Sequence, residues 1–493
     1  MKRKCYLFFL MLVPFIVLIA KSAIGQGTEN LTSTEKSVDT DMQNEAIRPY
    51  SENPWYWEYH GEPILLRGGS DDDNLFQWTG KKLTDHLDLL TSVGGNYVRN
   101  TMSNRDEGDV SPFAKNRNGK YNLEKWNKEY WERLTFFLDE TAKRGIIVQL
   151  TLWDVFDLGG DQDPWIYENN VNYGAEVMED DDDFYSSIES GGKILLEYQE
   201  KYISRLLSIA ITYDHILYNI NNESSEGKVW ENYWARFIHR TAAEMDRKAY
   251  VTTMRFDPSN SVRAAMTFHD IYSYAEISQN NQDSRGARGH AHWENIISWR
   301  EKLISFGSGP MPMNNVKVYG GGKGSNYSAG TETEAINRFW RNVFAGCASS
   351  RFHRPALPDV WGSGLNERVQ TNLKAMKMLL QEFDIFRASP HNDLLRHSVA
   401  SVPGAMKAYV SAEIGEQYAV YFPRGRFKVG LDPWIYAEQV RVRWLDIEDL
   451  SWSESEMVKV QWEGSRDDWG HRGRIPLKTP GNKAYVALIE VME

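Results

Sequence analysis

The feature that most constrains the fold is an alternation of short apolar segments with longer segments of helical spacing. Eight apolar segments have strand length: residues 64–67, 97–100, 146–153, 216–223, 250–254, 270–278, 316–319 and 348–352. Helical spacing follows seven of them, in residues 83–93, 126–142, 192–213, 229–245, 293–306, 332–344 and 365–386. Repeated strand–helix units predict an α/β fold with a parallel sheet, and eight units predict a (β/α)8 TIM barrel. An open doubly wound sheet is the alternative, but no glycine-rich nucleotide-binding turn follows the first strand.

The pattern of apolar and polar residues changes after about residue 389. Short runs of alternating polarity occur at residues 405–410, 417–422, 440–445, 457–462 and 484–491, and Gly, Pro, Asp and Asn separate them. Such runs predict a small antiparallel β-sandwich. We therefore expect a catalytic barrel in residues 50–388 and a C-terminal β-sandwich in residues 389–493.

The first 25 residues have the pattern of a secretory signal peptide. Three cations at residues 2–4 precede an apolar run at residues 6–20, and small residues at 23–25 precede a cleavage point. The apolar run is short for a membrane span, and no second run follows, so no membrane span is expected. Residues 26–49 are polar and predict a flexible leader, with order beginning near Tyr50. The expected location is the periplasm or exterior of a bacterium.

Charge and cysteine content narrow the class of partner. The net charge is −12, and removal of the four cations in residues 1–25 would bring it to −16, which disfavours nucleic acid as a partner. The mature chain would keep only Cys347, so no intrachain disulfide is expected, which suits a bacterial exported protein. No Cys/His cluster has zinc spacing, and we predict neither a metal nor a cofactor.

Polar side chains stand at the carboxyl ends of the predicted strands, where a barrel enzyme carries its active site. The pair Asn222–Glu223 ends the fourth strand, and we predict Glu223 as a proton donor beside an amide that holds a sugar hydroxyl. The 18 Trp and 25 Tyr also suit a carbohydrate substrate, since flat aromatic rings stack on sugars. Further side chains predicted to position the sugar are Arg99, Asn100, Trp153, Gln279, Tyr319, Arg351 and His353. Each has a structural alternative, as a helix cap, a turn residue or an ion pair.

The order of these stretches resembles the (β/α)8 glycoside hydrolases that carry Asn-Glu at the end of the fourth strand. More narrowly, it resembles bacterial glycoside-hydrolase-like proteins in which a β-sandwich described as collagen-binding follows the barrel. The stretches that carry the resemblance are residues 63–70, 96–102, 220–224, 338–349 and 351–355. The resemblance implies that Glu223 acts as the acid/base of a glycosidase. Nothing in these residues supports collagen as a ligand.

One departure from that clan concerns its nucleophile, a Glu at the end of the seventh strand. Here Tyr319 or Gly320 stands in its place. The enzyme could invert, with Asp154 or Asp157 as the general base opposite Glu223. Alternatively, another carboxylate such as Glu276 could serve as nucleophile.

The remaining alternatives are a polysaccharide lyase, with Tyr319 or His353 as base, and a non-catalytic carbohydrate-binding protein. We predict a glycosidase that cleaves a plant or algal polysaccharide or oligosaccharide, neutral or anionic. Glu223 is its acid and Asp154 the partner. The alternative role for Asp154 is a salt bridge to Arg99.

Overall fold

The computed structural model describes residues 45–188, 192–224, 227–281, 290–321, 329–355, 362–396, 408–434, 436–463 and 472–492. The predicted signal peptide and most of the predicted leader lie outside the described residues. Regular structure nevertheless starts before Tyr50. Ile47 is buried, and its N–H donates to the carbonyl of Asp214 at 2.8 Å. A three-stranded antiparallel sheet follows, built from β1 (Arg48–Pro49), β2 (Trp57–Tyr59) and β3 (Glu62–Ile64).

Eight parallel strands form the centre of the chain. They are β4 (Leu66–Gly69), β5 (Tyr97–Thr101), β8 (Ile147–Asp154), β9 (Ile216–Asn222), β10 (Val251–Thr252), β11 (Ala275–Glu276), β12 (Met313–Asn314) and β13 (Ser349–Phe352). Ladders join β5–β8–β9–β10, β11–β12 and β13–β4. Backbone hydrogen bonds join the other neighbours, among them Asn96 to Arg67, Ser273 to Val251, and Ala348 to Met313, at 2.8–2.9 Å. Hydrogen bonds therefore connect each strand with the next, and β13 with β4.

Helices follow the parallel strands, and a hairpin of β6 (Phe113–Lys115) and β7 (Tyr121–Trp126) precedes the second of them. The described helices are α1 (Gly80–Ser92), α2 (Lys128–Ala142), α3 (Asp181–Ser186), α4 (Lys193–Ala210), α5 (Lys228–Glu244), α6 (Pro258–Thr267), α7 (His290–Ser305), α8 (Glu332–Phe344) and α9 (Glu367–Leu380). Two of the described helices are absent from the sequence pattern: α3, in a stretch expected to be a loop, and α6, which begins with Pro258 after the cap residue Asp257. None of the described helices is both long and apolar enough to cross a bilayer.

Both faces of the parallel strands are buried, as such a sheet requires. Val98 and Val148 belong to the apolar cluster that includes the helices. Their chain neighbours Tyr97 and Ile147 belong to a separate cluster. Because successive side chains of a strand point to opposite faces, the second cluster fills the side away from the helices. The carboxyl ends of the parallel strands share one edge.

The C-terminal part contains two antiparallel sheets that share one apolar core. The larger sheet comprises β14 (Ser389–Pro390), β16 (Tyr409–Glu413), β17 (Gln417–Phe422), β19 (Gln439–Asp446), β20 (Ser451–Trp452), β21 (Glu456–Lys459) and β24 (Tyr485–Val491). The smaller comprises β15 (Leu395–Arg396), β18 (Lys428–Leu431), β22 (Gln461–Glu463) and β23 (Arg472–Lys478). The strand predicted at residues 417–422 coincides with β17. Residues 405–407 of another predicted strand lie outside the described residues, and β18 and β23 were not predicted.

The second face of the larger sheet packs against helices α7 and α8. Tyr421 stacks on Trp340 with ring centroids 5.2 Å apart and an interplanar angle of 11°. Its hydroxyl donates to Asn337 at 2.8 Å, and Tyr409 packs against Trp293 at 5.1 Å. Residues 44–493 form one compact unit. The large sheet therefore supports the helices behind the last parallel strands.

Candidate active site

Glu223 lies immediately after β9 with its backbone in the left-handed region, at φ +57°. A side chain there costs about 1–2 kcal/mol, and such strain is concentrated at functional sites. The carboxylate is buried and forms an ion pair with the equally buried Lys317, which follows β12. The Lys317 ammonium also donates to Asn222 Oδ1 at 2.5 Å, and the Tyr319 hydroxyl donates to Glu223 at 3.4 Å. Burial lowers the pKa of Lys317, and Glu223 offsets part of that shift.

Asp154, the last residue of β8, is connected to Glu223 through Asn222 and Lys317. The Asn222 amide donates to Asp154 Oδ1 at 2.8 Å, while its oxygen accepts from Lys317. Three successive contacts and one amide group thus separate the two carboxylates, which places them at most about 10 Å apart. Asn222 therefore bridges the two predicted catalytic acids and is not free to bind a sugar hydroxyl without rearrangement.

The ion-pair partner of Asp154 is Arg105, not Arg99 as the alternative prediction had it. Burial opposes ionisation of Asp154, but Arg105 and the hydrogen bond from Asn222 outweigh burial, so the pKa of Asp154 lies below its ordinary value. Asp154 is consequently a carboxylate at neutral pH. The sequence gives little indication of Arg105, because it lies in the loop after β5.

Asp157 is a second carboxyl group next to Asp154. It accepts from the Ser103 hydroxyl at 2.7 Å and lies 3.5 Å from Arg105. Burial, with the charge of Asp154 added, raises the pKa of Asp157 to about 8. Asp157 therefore keeps its proton at neutral pH, whereas Asp154 does not, and this contrast favours Asp154 as a base.

A cavity of about 40 Å³ lies beside these two acids. It is lined by Asp154, Asp157 and a set of apolar side chains that includes Trp153 and Trp165. The indole N–H of Trp153 has no hydrogen-bond partner among the described residues. The cavity is large enough for a water molecule with polar neighbours.

Trp153 does not present its ring to the mouth of the site as predicted. Only 5% of the residue is exposed, and its indole packs among Trp165, Phe184, Trp230 and Trp234 at centroid distances of 5.1–6.0 Å. Aromatic rings in such a cluster contribute to the core. Stacking of Trp153 on a sugar would require this cluster to open.

Asn100 is also structural. It is fully buried, and its side-chain oxygen accepts from the Phe76 N–H at 2.9 Å. Its amide donates to the carbonyl of Thr101 at 3.4 Å. Both ends of the amide are therefore used within the protein.

Asp73 lies next to most of the basic side chains predicted for the site. It is 3.0 Å from Arg99, 3.2 Å from Arg354, 3.4 Å from Arg351 and 3.5 Å from His353. Burial opposes ionisation of Asp73, but the guanidiniums of Arg99, Arg351 and Arg354 hold its pKa well below the ordinary value. Burial, reinforced by nearby cations, holds the pKa of His353 well below 6.5, so we take His353 as neutral.

The cations of this cluster differ in access to the mouth. The side chains of Arg99 and Arg351 are fully buried, whereas those of Arg354 and Arg105 are 23% exposed. The fully buried pair thus holds the cluster together. Of this cluster, Arg354 and Arg105 have guanidiniums able to touch a substrate. The sequence placed Arg354 among the polar strand ends, whereas it gave no prediction for Arg105.

Gln279, after β11, is a predicted substrate-binding residue whose side-chain amide is left available for a ligand. It is fully buried, yet neither its amide nitrogen nor its oxygen has a hydrogen-bond partner within the described parts of the chain. An unpaired buried amide costs about 1–3 kcal/mol, and a ligand is one way to pair it.

Glu276 is placed too deep to act as the nucleophile. Its carboxylate accepts from Gln149 at 2.8 Å and from the backbone of Ser278 at 2.9 Å. Gln149 lies five residues before Asp154 in β8, which is about 16 Å towards the opposite end of the strand. This prediction is therefore wrong, because Glu276 belongs to the buried layer below the site.

Lys317 is the main residue that the sequence prediction missed. A lone lysine in the apolar run 316–319 is a detectable signal, since a buried ammonium requires a partner. The described residues contain no group of three His, Cys, Asp or Glu side chains arranged to hold a metal ion.

Several solved structures share this fold. A glycoside hydrolase family 5 protein from Bacteroides vulgatus ATCC 8482 is 14% identical with a TM-score of 0.60, over 92% of this chain and 95% of that one. A structure described as a glycoside hydrolase is 13% identical with a TM-score of 0.60, over 92% and 98%. An endo-1,4-beta-mannanase from Rhizomucor miehei is 14% identical with a TM-score of 0.51, over 69% and 100%.

At these identities the likeness is one of fold. The sequence matches no family model and no curated protein. The chain is therefore an α/β protein with a fold shared by glycoside hydrolases, a family 5 protein among them.

Proposed function

We propose that this protein is an exported bacterial glycoside hydrolase that cleaves with inversion. Glu223 is the general acid and Asp154 the general base. The eight parallel strands form a closed (β/α)8 barrel that carries both residues, and the two C-terminal sheets form a β-sandwich that supports its helices.

The observation that carries this proposal is the contact chain from Asp154 through Asn222 and Lys317 to Glu223. It joins two buried carboxyl groups at the carboxyl ends of adjacent parallel strands, where barrel enzymes place their chemistry. Inverting glycosidases separate their carboxyl groups by about 6.5–9.5 Å, which leaves room for water. The upper bound of about 10 Å set by these contacts is compatible with that range.

Lys317 is the proposed source of the proton that Glu223 donates as general acid. A general acid must be protonated when the glycosidic bond breaks, and Glu223 touches an ammonium whose pKa burial has lowered. We propose that substrate binding, which excludes water, moves a proton from Lys317 to Glu223 and then to the leaving oxygen. Asp154, held as a carboxylate by Arg105, takes a proton from the attacking water.

The substrate is proposed to be a plant or algal polysaccharide, or an oligosaccharide derived from one. Gln279 offers an unpaired amide for a sugar hydroxyl. The guanidiniums of Arg105 and Arg354 belong to side chains that are 23% exposed, and they suit a carboxylated or sulfated sugar, since an arginine fork matches such groups with two hydrogen bonds. β-Mannan belongs among the test substrates because one structural neighbour is an endo-1,4-beta-mannanase.

The test is release of reducing ends from a panel of neutral β-mannans, neutral β-glucans and polyuronates. We expect the wild type to cleave at least one of them. Glu223→Gln and Asp154→Asn should each lower kcat by 10²-fold or more, while far-ultraviolet circular dichroism stays unchanged. Lys81→Met, which alters an exposed lysine on α1, is the control. Full activity in Glu223→Gln would contradict the role of Glu223.

A second candidate function is β-elimination on a polyuronate. It is favoured by Tyr319 and the neutral His353, whose rings lie 4.6 Å apart beside Lys317. A tyrosine or neutral histidine can abstract a proton next to a carboxylate that cations neutralise. A lyase would leave an unsaturated product that absorbs in the ultraviolet, whereas the proposed hydrolysis leaves none.

A further inference from the structure

A group of aromatic side chains lies on the C-terminal part, remote in sequence from the strand ends of the active site. Trp434 and Tyr436 stand in the loop between β18 and β19, and Trp462 belongs to β22. Together with His391 they form what we call the aromatic patch. The patch involves both sheets, since Trp462 lies in the smaller one and the N–H of His391 donates to the carbonyl of Val410 in β16 of the larger one at 2.9 Å.

Two rings of the aromatic patch are exposed, and the four rings contact one another in pairs. Trp434 is 60% exposed and Tyr436 is 56% exposed. Tyr436 stacks on the half-buried Trp462 at 5.1 Å and 24°, and Trp434 meets His391 edge-on at 6.2 Å. Single exposed apolar residues need no explanation, but several large rings held in one place mark an interaction site.

The backbone at Trp434 gives a second, independent observation. Its φ is +53°, a conformation that costs a bulky residue about 1–2 kcal/mol. The N–H of Trp434 donates to Asp432 at 3.2 Å, and Arg396 pairs with the same carboxylate. The loop is therefore anchored in a strained conformation that exposes the indole instead of burying it.

We propose that the aromatic patch binds a glycan chain. Flat rings offer their faces to the C–H side of a sugar, and the partly exposed side chains of Arg396 and His391 can form hydrogen bonds with its hydroxyls. The net charge of −12 disfavours a nucleic acid, the other polymer that stacks on aromatic rings. The patch shares no residue with the site of Asp154 and Glu223, so the proposal does not rest on catalysis.

The experiment is native gel electrophoresis of the full chain with galactomannan, xyloglucan, alginate or polygalacturonate in the gel. We expect at least one polymer to retard the wild type, and the Trp434→Ala/Tyr436→Ala variant to bind it at least tenfold more weakly. Phe306→Ala, which removes a 74% exposed ring at the end of α7, is the matched control and should bind as the wild type does.

Three outcomes would overturn the proposal. They are no retardation by any of the four polymers, retardation that the double variant leaves intact, and equal weakening in the control. If the double variant is retarded as strongly as the wild type, the glycan binds at the active-site mouth and not at the aromatic patch. Sedimentation gives a further check. If the wild type is a dimer and the double variant is a monomer, the aromatic patch binds a second copy of the chain instead of a glycan. The gel and sedimentation results do not depend on hydrolysis, so a lack of activity in the reducing-end assay would not change what they show.

Discussion

Replacement of Lys317 by Met should destabilise the protein strongly, because it leaves the charge of Glu223 buried without its partner. The side chains of Lys317 and Glu223 are only 2% and 6% exposed. After the substitution, the hydroxyl of Tyr319 at 3.4 Å is the remaining partner of Glu223 among the described residues. Asn222 loses a hydrogen bond of 2.5 Å as well. Removing one member of a buried ion pair costs about 3–5 kcal/mol.

The assay is guanidinium unfolding at pH 7 for Lys317→Met, Glu223→Gln and the double variant. The double variant should be more stable than the sum of the single losses predicts, by about 0.5–3 kcal/mol, because it no longer buries a lone charge. A loss below about 1 kcal/mol, or strict additivity, would refute the buried pair. Lys81→Met breaks an exposed pair and should cost about 0–1 kcal/mol.

Three further predictions follow from the site and the fold. Gln279→Met should leave stability unchanged or raise it by about 1–3 kcal/mol, since the buried amide has no described partner, while KM rises about tenfold; a loss of stability would contradict it. The pKa of Asp157 is raised to about 8, so its protonation stabilises the folded state fully below about pH 4, and that stabilisation is lost as the pH rises to 8. Against Asp157→Asn, the wild type should lose up to about 1.4 kcal/mol per pH unit across this window in unfolding titrations, and parallel pH curves would refute the shift. Tyr421→Ala should cost about 3–5 kcal/mol and keep a single unfolding transition, because the sheet and helix α8 share one core; two separate transitions in calorimetry would contradict this.

The sequence predicts the ends of β8 and β9 well because strand periodicity and helical periodicity differ, but it places the seventh strand at residues 316–319, whereas β12 spans Met313–Asn314. Asp154, Asn222 and Glu223 lie together because their strands are consecutive and parallel, and the alternating pattern predicts that arrangement. Helix α6 was missed since its sequence, PSNSVRAAMT, has few apolar residues. The Asp257–Pro258 pair is nevertheless a helix-start signal.

Pairing of side chains could not be predicted in the same way. Arg99 and Asp154 are on adjacent strands, yet Asp154 pairs with Arg105 and Arg99 pairs with Asp73. The choice depends on where a loop side chain folds back, and periodicity carries no information about that. Trp153 shows the same limit, since its polar neighbour suggested a place in the mouth while packing drew its ring into the core.

We propose that Asp154 and Glu223 hydrolyse a glycosidic bond with water held between them. Proton magnetic resonance of the newly formed reducing end, recorded during the first turnovers on a cleaved glycan, tests it most directly. The predicted result is the anomer opposite to that of the substrate bond, seen before mutarotation and absent in both acid variants. A product with the substrate's own anomeric configuration would require a covalent intermediate and would contradict the account.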